Sequence, residues 1–278
     1  MSALNLAARE GDPGLATSAI RVLAARRSAL SVFHYEALLT AYTKAKDAKT
    51  AFRILTIMAK AGLEPDSSTT RPLFLYLKQD ERLPDKTWQI LKSLHREGHV
   101  IPTAAVNVIV EAKLHWGHFG EAIEFYKELH TICANGPNTE LFNILLQGTT
   151  RLSTKSMAMF LASEMRALGL KPDRLTYDRL IFVCTKDDDY EDAFKYLEEM
   201  ETLGADKVED GHKGWWMRGG TATMLVQQCT KAGDARVWHL LDVMAKRDLD
   251  QGKLRRWVED HWKGKQRTEE QMSEKILE

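Results

Sequence analysis

The sequence predicts an all-α chain of stacked helix-turn-helix repeats, and three observations carry that prediction. Proline recurs at Pro65, Pro102, Pro137 and Pro172, spaced by 37, 35 and 35 residues. The strings AGLEPDSSTT (61–70) and GLKPDRLTYDRLI (169–181) place the same Gly…Pro-Asp punctuation before an apolar run. Between such turns apolar residues recur at i, i+3, i+4 and i+7, the stripe of an amphipathic helix. A fixed period of this length marks a repeat architecture.

Bulk composition permits such a fold and narrows the function. A chain of 278 residues with 44% hydrophobic composition can bury a sizeable core. Thirty-nine basic residues balance 39 acidic ones, so no global field draws the chain to nucleic acid or membrane, and any charge argument is local. No apolar run approaches the roughly 20 residues that span a bilayer. Cys133, Cys184 and Cys229 are far apart and form no CxxC pair, which suggests neither a disulfide framework nor a zinc site. A reducing compartment fits best.

The elements follow in order. Residues 1–31 read as a partial repeat, with Gly11 at a turn, Ala16 at a helix-packing position and Leu23 at a late-helix position. Five units follow, 32–66, 67–102, 103–138, 139–173 and 174–208. In YEALLTAYTKA (35–45), Tyr35, Leu38, Leu39 and Tyr42 share a face; Lys46-Asp47 breaks the helix. In AKTAFRILTIMAKA (48–61), Ala51, Phe52, Leu55, Met58 and Ala59 form a second stripe. Gly62 supplies a left-handed stop, and Pro65 prevents continuation while opening the next helix. The plan recurs in 142–152 with 155–168, closed by Gly169 and Pro172, and in 176–186 with 190–203, closed by Gly204. Two helices of about 12 residues cannot bury their apolar faces alone, so the units must stack. Nothing asks for a sheet. Residues 209–250 read as a loop extension plus a degenerate last repeat, and 251–278 as a capping helix and a polar tail.

The motif detail resembles the pentatricopeptide repeat family. Units of 35 residues ending in GLEPD (62–66) or GLKPD (169–173) and opening with LTYDRLI (175–181) or ELFNILL (140–146) are similar to that repeat. So are the joins AYTKAKDAKTAFRILTIM (41–58) and VCTKDDDYEDAFKYLEEM (183–200). The tetratricopeptide signature W-x-x-L-G-x-x-Y is not found. The resemblance implies a right-handed α-α superhelical solenoid. It further implies binding of single-stranded RNA in mitochondria or chloroplasts, one nucleotide per repeat, a known mode of RNA reading.

In that family the fifth and last residues of each unit choose the base. The resemblance therefore implies the pairs Glu36 with Asp66, Arg71 with Thr103, Asn107 with Asn138, Asn143 with Asp173 and Asp178 with Val208; Thr223 is the fifth residue of the last unit. Asn with Asp implies uracil, and Asn with Asn a pyrimidine. Asp178 is a poor partner near a polyanion. The family's phosphate-approaching position, near the end of each first helix, holds Lys44, Gln79, His115, Arg151, Lys186 and Lys231. Stacking would align these into a basic track, although a cation in a last helical turn also suits the helix dipole. The base-sandwiching aliphatic position is kept as Phe33 and Leu175 and replaced by Ser68 and Glu140 elsewhere.

Other motifs carry less. KDDDYED (186–192) lacks the Gly and bidentate Glu of a calcium loop and reads as solvated acids at a helix start. His95 and His99 in HREGH lack the zincin Glu. With no nucleophile–base pair, phosphate loop or metal cluster, neither catalysis nor a cofactor is expected. Five tryptophans, Trp215, Trp216, Trp238, Trp257 and Trp262, lie beyond residue 214. They either cap the open end of the stack or form a protein interface. In 253–262, Leu254, Trp257, Val258 and His261 form a stripe suited to packing on the last unit, and 263–278 is a fraying helix or a disordered tail. The repeat register sets Met1 several residues into a first helix, from which an upstream segment with a targeting peptide is expected. Two functions remain open. One is a non-catalytic adaptor for organellar RNA in transcript stability, processing or translation. The other is a protein-binding scaffold in respiratory-complex assembly or on the mitochondrial ribosome.

Overall fold

Short turns, many of them passing through one left-handed residue, join successive helices, and the result is a succession of helical hairpins. A computed structural model describes residues 2–133, 135–152, 154–209, 211–250 and 252–262. The predicted tail, 263–278, lies outside the described residues. The chain divides into two compact units, Met1–Gly148 and Thr149–Glu278.

The first unit contains α1 (Ser2–Glu10), α2 (Pro13–Ala25), α3 (Val32–Lys44), α4 (Ala48–Lys60), α5 (Ser67–Leu77), α6 (Leu83–Arg96), α7 (Thr103–His115) and α8 (Phe119–Glu128), with a 3₁₀ turn at Leu129–Thr131. It also holds most of α9 (Thr139–Leu152). The first helices of successive hairpins lie side by side, α1 on α3, α3 on α5 and α5 on α7. Residues 1–31 thus supply two helices, the first of which packs as α3 and α5 do. The second helices form their own layer, with α4 against α6. Deep in this unit α7 (TAAVNVIVEAKLH) is buried along nearly all its length, as its apolar character all round requires. Its one buried cation, Lys113, ion-pairs with Asp85 of α6 at 2.7 Å and with Glu121 of α8. Burial opposes charging that ammonium, but its hydrogen bonds to the two carboxylates outweigh burial and hold it protonated.

The second unit contains the rest of α9, then α10 (Lys155–Ala167), α11 (Arg174–Lys186), α12 (Tyr190–Gly204), α13 (Gly219–Ala232) and α14 (Arg236–Lys246). Here α11 pairs with α12, α13 pairs with α14, and α11 lies along α13. A last helix over 253–262, α15, buries Val258 and sets Trp262 edge-on to Trp238 of α14 at 5.5 Å. Arg255 pairs with Asp242 of α14. Those contacts cover the outer side of α14; Trp257 stacks within its own helix on His261, at 4.1 Å.

Two local mechanisms shape the turns. Gly62 follows the end of α4 at φ 73°, in left-handed backbone where a Cβ is disfavoured. Inside the hairpins one left-handed residue joins the two helices, at Lys46 and Asp188 as well as at Gly11, Gly117 and Gly233. An aspartate then caps the second helix: Asp12 accepts from the Leu15 N–H, Asp47 from Thr50 and Asp189 from Asp192.

The structure corrects three expectations. Gly204 does not end its helix by a left-handed turn; it is the last residue of α12. Trp215 lies so close that a Cβ on Gly204 would stand 2.3 Å from the Trp215 Cβ. The segment after α12 is a small antiparallel hairpin, Val208–Glu209 with His212–Lys213, where no sheet was expected. It is held by Arg174, which donates to the Trp216 carbonyl at 2.7 Å and pairs with Glu209, and by Arg247, which donates to the Gly214 carbonyl. Trp216 fills the core beneath it at 2% exposure. The acidic run 186–192 is not simply solvated either. Asp189 and Asp192 hold the ammonium of Lys155 on α10, and Asp188 accepts from Gln228 on α13. A helix start gathers acids for its dipole, and the neighbouring helices supply their donors.

Two outcomes test this packing. A Cβ at Gly62 meets nothing within 4 Å, so Gly62→Ala should cost only conformational strain, about 1 kcal/mol in denaturant unfolding; an unchanged midpoint would refute the assigned turn. Hydrogen bonds from Lys155 hold the Asp189 and Asp192 carboxyls below the usual carboxylate range. Groups with lowered folded pKa stabilise above their unfolded value, and that stability is lost as pH falls through the folded one. Acidification below about pH 4 should therefore lower the Tm of the native chain more steeply than that of Lys155→Met. Parallel Tm curves would show that the triad adds nothing.

Candidate nucleic-acid interface

Facing stripes on α3 and α5 build the clearest concave site. On α3, Glu36, Thr40, Thr43 and Lys44 recur at i, i+4, i+7 and i+8, one helical face. On α5, Ser68, Arg71, Pro72, Leu75 and Tyr76 recur at i, i+3, i+4, i+7 and i+8, and Gln79 follows just past its end. The two faces enclose a cleft of about 350 Å³, large enough for a nucleobase. Pro72 lines it from inside α5, where a proline has no N–H for the carbonyl one turn back. The Ser68 hydroxyl donates to Glu36 Oε1 at 3.1 Å, fixing the carboxylate across the gap. Arg71 lies 5.4 Å over the Phe74 ring, and Phe74 packs edge-on to His115 of α7. Sequence reasoning found Glu36, Lys44, Arg71 and Gln79 here. It missed Thr40, Leu75 and Tyr76, which the i, i+4 periodicity of the two helices would have added.

The proposed phosphate-facing lysines have partners. Lys44 Nζ donates to the Arg9 carbonyl at the end of α1, at 2.7 Å, and Lys186 Nζ to the Thr150 carbonyl near the end of α9, at 3.3 Å. Each ammonium thus reaches the carbonyl end of the preceding first helix, which satisfies an orphan acceptor and the helix dipole. Both side chains stay exposed and keep further donors. Gln79, His115, Arg151 and Lys231 are also exposed.

The closing residue of a repeat has a structural duty that the sequence reading did not assign. Asp66 caps α5, accepting from the Thr69 N–H at 2.9 Å, and Asp173 caps α11, accepting from the Thr176 N–H at 2.8 Å. The Thr69 backbone hydrogen bond holds the Asp66 carboxyl below its ordinary range, against the opposing effect of burial. Asn138 likewise accepts from the Leu141 N–H, at 2.9 Å. It also receives a hydrogen bond from the Asn107 amide at 3.3 Å, so the fifth residue of one unit does meet the last.

Other carried-over positions are more constrained than expected. Asn107 is 3% exposed, and its amide also goes to Glu140 at 2.9 Å. Asn143 is buried on α9. Asp178 is buried and cannot be an open reader: its carboxylate accepts from the Arg218 N–H at 2.7 Å, anchoring the start of α13. The insertion before α13 folds back over α11, a contact 40 residues distant in sequence. Thr223 gives its hydroxyl to the Gly219 carbonyl, within its own helix. Thr103, the expected partner of Arg71, is buried and donates to the Gly136 carbonyl. Phe33 is 68% exposed at the start of α3, Leu175 is half-buried, and Val208 stands exposed on the small hairpin.

Burial pushes the Cys184 and Cys229 thiols up to about 12, so both stay protonated. Among the described residues, no His, Cys, Asp or Glu cluster of metal-binding geometry occurs, and no helix is long and apolar enough to cross a membrane.

Comparison with known proteins agrees with the repeat geometry. A family model described as a pentatricopeptide repeat-containing protein matches residues 1–129, and one described as a pentatricopeptide repeat domain matches 160–205. The two matches together span more than half of the chain. A pentatricopeptide repeat-containing protein of Arabidopsis thaliana is 34% identical over 74 residues, 27% of this chain and 13% of its own length. The mitochondrial 15S rRNA processing factor CCM1 of Candida albicans is 26% identical over 171 residues, 60% of this chain and 22% of its own. The chain thus spans less than a quarter of the length of either relative. Among solved structures, the pentatricopeptide repeat protein PPR10 from maize is 17% identical, with a TM-score of 0.49 over 93% of this chain and 39% of that one. Period, hairpin stacking and family models agree: the chain belongs to the pentatricopeptide repeat family.

Proposed function

We propose that the chain is a non-catalytic adaptor that binds single-stranded RNA along the faces of its first helices and acts in mitochondrial transcript stability, processing or translation. The observation that carries this reading is the α3–α5 cleft. It brings a carboxylate for a base edge, a guanidinium and a phenol ring for stacking, and an exposed ammonium into one site of nucleobase size. Membership of the repeat family supports it, and the likeness to a mitochondrial rRNA processing factor supports the compartment and the class of RNA work. A neutral chain has no general attraction for polyanions, so binding rests on local cations such as Lys44, Arg71, Arg151, Lys186 and Lys231. Asn143 with Asp173 is proposed to read uracil, and Asn107 with Asn138, where the Asn107 Oδ1 accepts no hydrogen bond, is proposed to favour a pyrimidine.

Fluorescence anisotropy with short labelled oligoribonucleotides tests the proposal. Lys186→Ala should weaken binding to every sequence alike and reduce the salt slope by about one. Asn143→Ala should instead weaken binding about tenfold for strands with one particular base, with circular dichroism confirming that the helices persist. Crosslinking that recovers no RNA, together with one stoichiometric protein partner, would replace the RNA reading with a scaffold.

A further inference from the structure

We infer that the fold-back after α12 carries a separate site that takes a terminal phosphate of the RNA strand, an inference that rests on the RNA-binding function proposed above. The site is a cavity of about 90 Å³ whose lining includes Arg174, Glu209, His212, Trp216 and Arg247. Two guanidinium groups converge on it, Arg174 from the start of α11 and Arg247 from just past the end of α14. Among the described residues of the lining they face one carboxylate, Glu209, which Arg174 holds at 2.7 Å.

Arg247 is the cation that lacks such a partner. Its Nη2 donates to the Lys213 carbonyl at 3.2 Å and the Gly214 carbonyl at 3.0 Å, and its guanidinium lies 5.8 Å over the Trp216 ring. Among the described residues no carboxylate forms an ion pair with it, and the donors on Nε and Nη1 are left over. Burial above all, with the Arg174 charge added, weakens its hold on its proton, against the opposing pull of Glu201. That carboxylate is itself engaged, since its Oε1 accepts from the Trp216 Nε1 at 3.1 Å. A half-buried guanidinium, fixed in place beside a second one, is a site for an anion.

Charge and size name the anion. A phosphomonoester carries about −1.5 to −2 charges and three free oxygens, which suit two guanidinium forks and the imidazole of His212. A phosphodiester within a strand carries one charge and must lead the chain both in and out. The cavity is about a quarter of the α3–α5 cleft and gives no room for that. Its place in the fold agrees. The insertion lies over the start of α11, where Asp178 accepts from the Arg218 N–H at 2.7 Å. A strand following the first helices of this unit meets the insertion there, so its end rather than its middle comes to the cavity.

Fluorescence anisotropy on the whole chain tests this with one oligoribonucleotide made in three forms, bearing a 5′-phosphate, a 3′-phosphate or hydroxyls at both ends. One phosphorylated form should bind about tenfold tighter than the hydroxyl form, and it identifies the end that docks. Excess inorganic phosphate at constant ionic strength should abolish the gain. Arg247→Met should bring the ratio of the two affinities close to one. Where circular dichroism shows that variant unfolded, Arg247→Lys replaces it; a lysine cannot fork to two oxygens, and the ratio should fall severalfold. Equal affinities for all three forms, or a gain that survives the substitution or the inorganic phosphate, overturns the phosphate site and leaves RNA binding standing. If no form binds, the RNA reading itself fails and this inference falls with it.

Discussion

Each helical pair in this protein has an apolar flank that only the next pair can cover. That constraint sets the architecture. Neither helix of a hairpin, at 9 to 15 residues, can support itself in water, because helix formation at this length needs tertiary packing. The packing comes from neighbours in order, first helix on first helix. In α7 the covering is nearly complete, so even a lysine must be buried there, and Asp85 and Glu121 from both adjoining second helices make that burial tolerable.

The same constraint gives the candidate interface its character. Stacking lines up equivalent positions of successive first helices, so side chains 32 to 35 residues apart in sequence become facing neighbours. Glu36 meets Ser68 and Lys44 meets the end of α1 in this way. Several positions carry two demands. Asp66, Asn138 and Asp173 must satisfy the first free N–H groups of a helix, which fixes their rotamers before any ligand arrives. A base-reading role at these positions would then begin from preset geometry rather than from a freely rotating side chain.

The C-terminal part departs from the repeat rule by using long-range clamps. The insertion after α12 is too short and polar to hold itself. Trp216 anchors it in the core while Arg174 on α11 and Arg247, just past the end of α14, grip its carbonyls. Capping of α14 by α15 gives the tryptophans at the end a packing role: Trp262 meets Trp238, and Val258 is fully buried.

Period, helix type and helix limits were legible in the sequence because they depend on local chemistry. The expected 48–61 helix runs Ala48–Lys60, between Asp47 and Gly62, and 155–168 runs Lys155–Ala167, with Gly169 just past its end. Gly62 was readable for the same reason, since its conformation is decided by its own backbone. Gly204 was not, because what it accommodates is the Trp215 ring, placed by a fold-back that no local pattern announces. Asp178 likewise stood at a base-reading position, as a poor partner for a polyanion, and its role as an anchor emerged only with Arg218 beside it. By itself the sequence determined the repeat period, that each unit is a pair of helices and that the hairpins must stack. Only the tertiary structure decided which polar side chains remain available, because a donor or acceptor is spent by whichever partner lies nearest in space, and nearness in space is settled by the packing of distant segments.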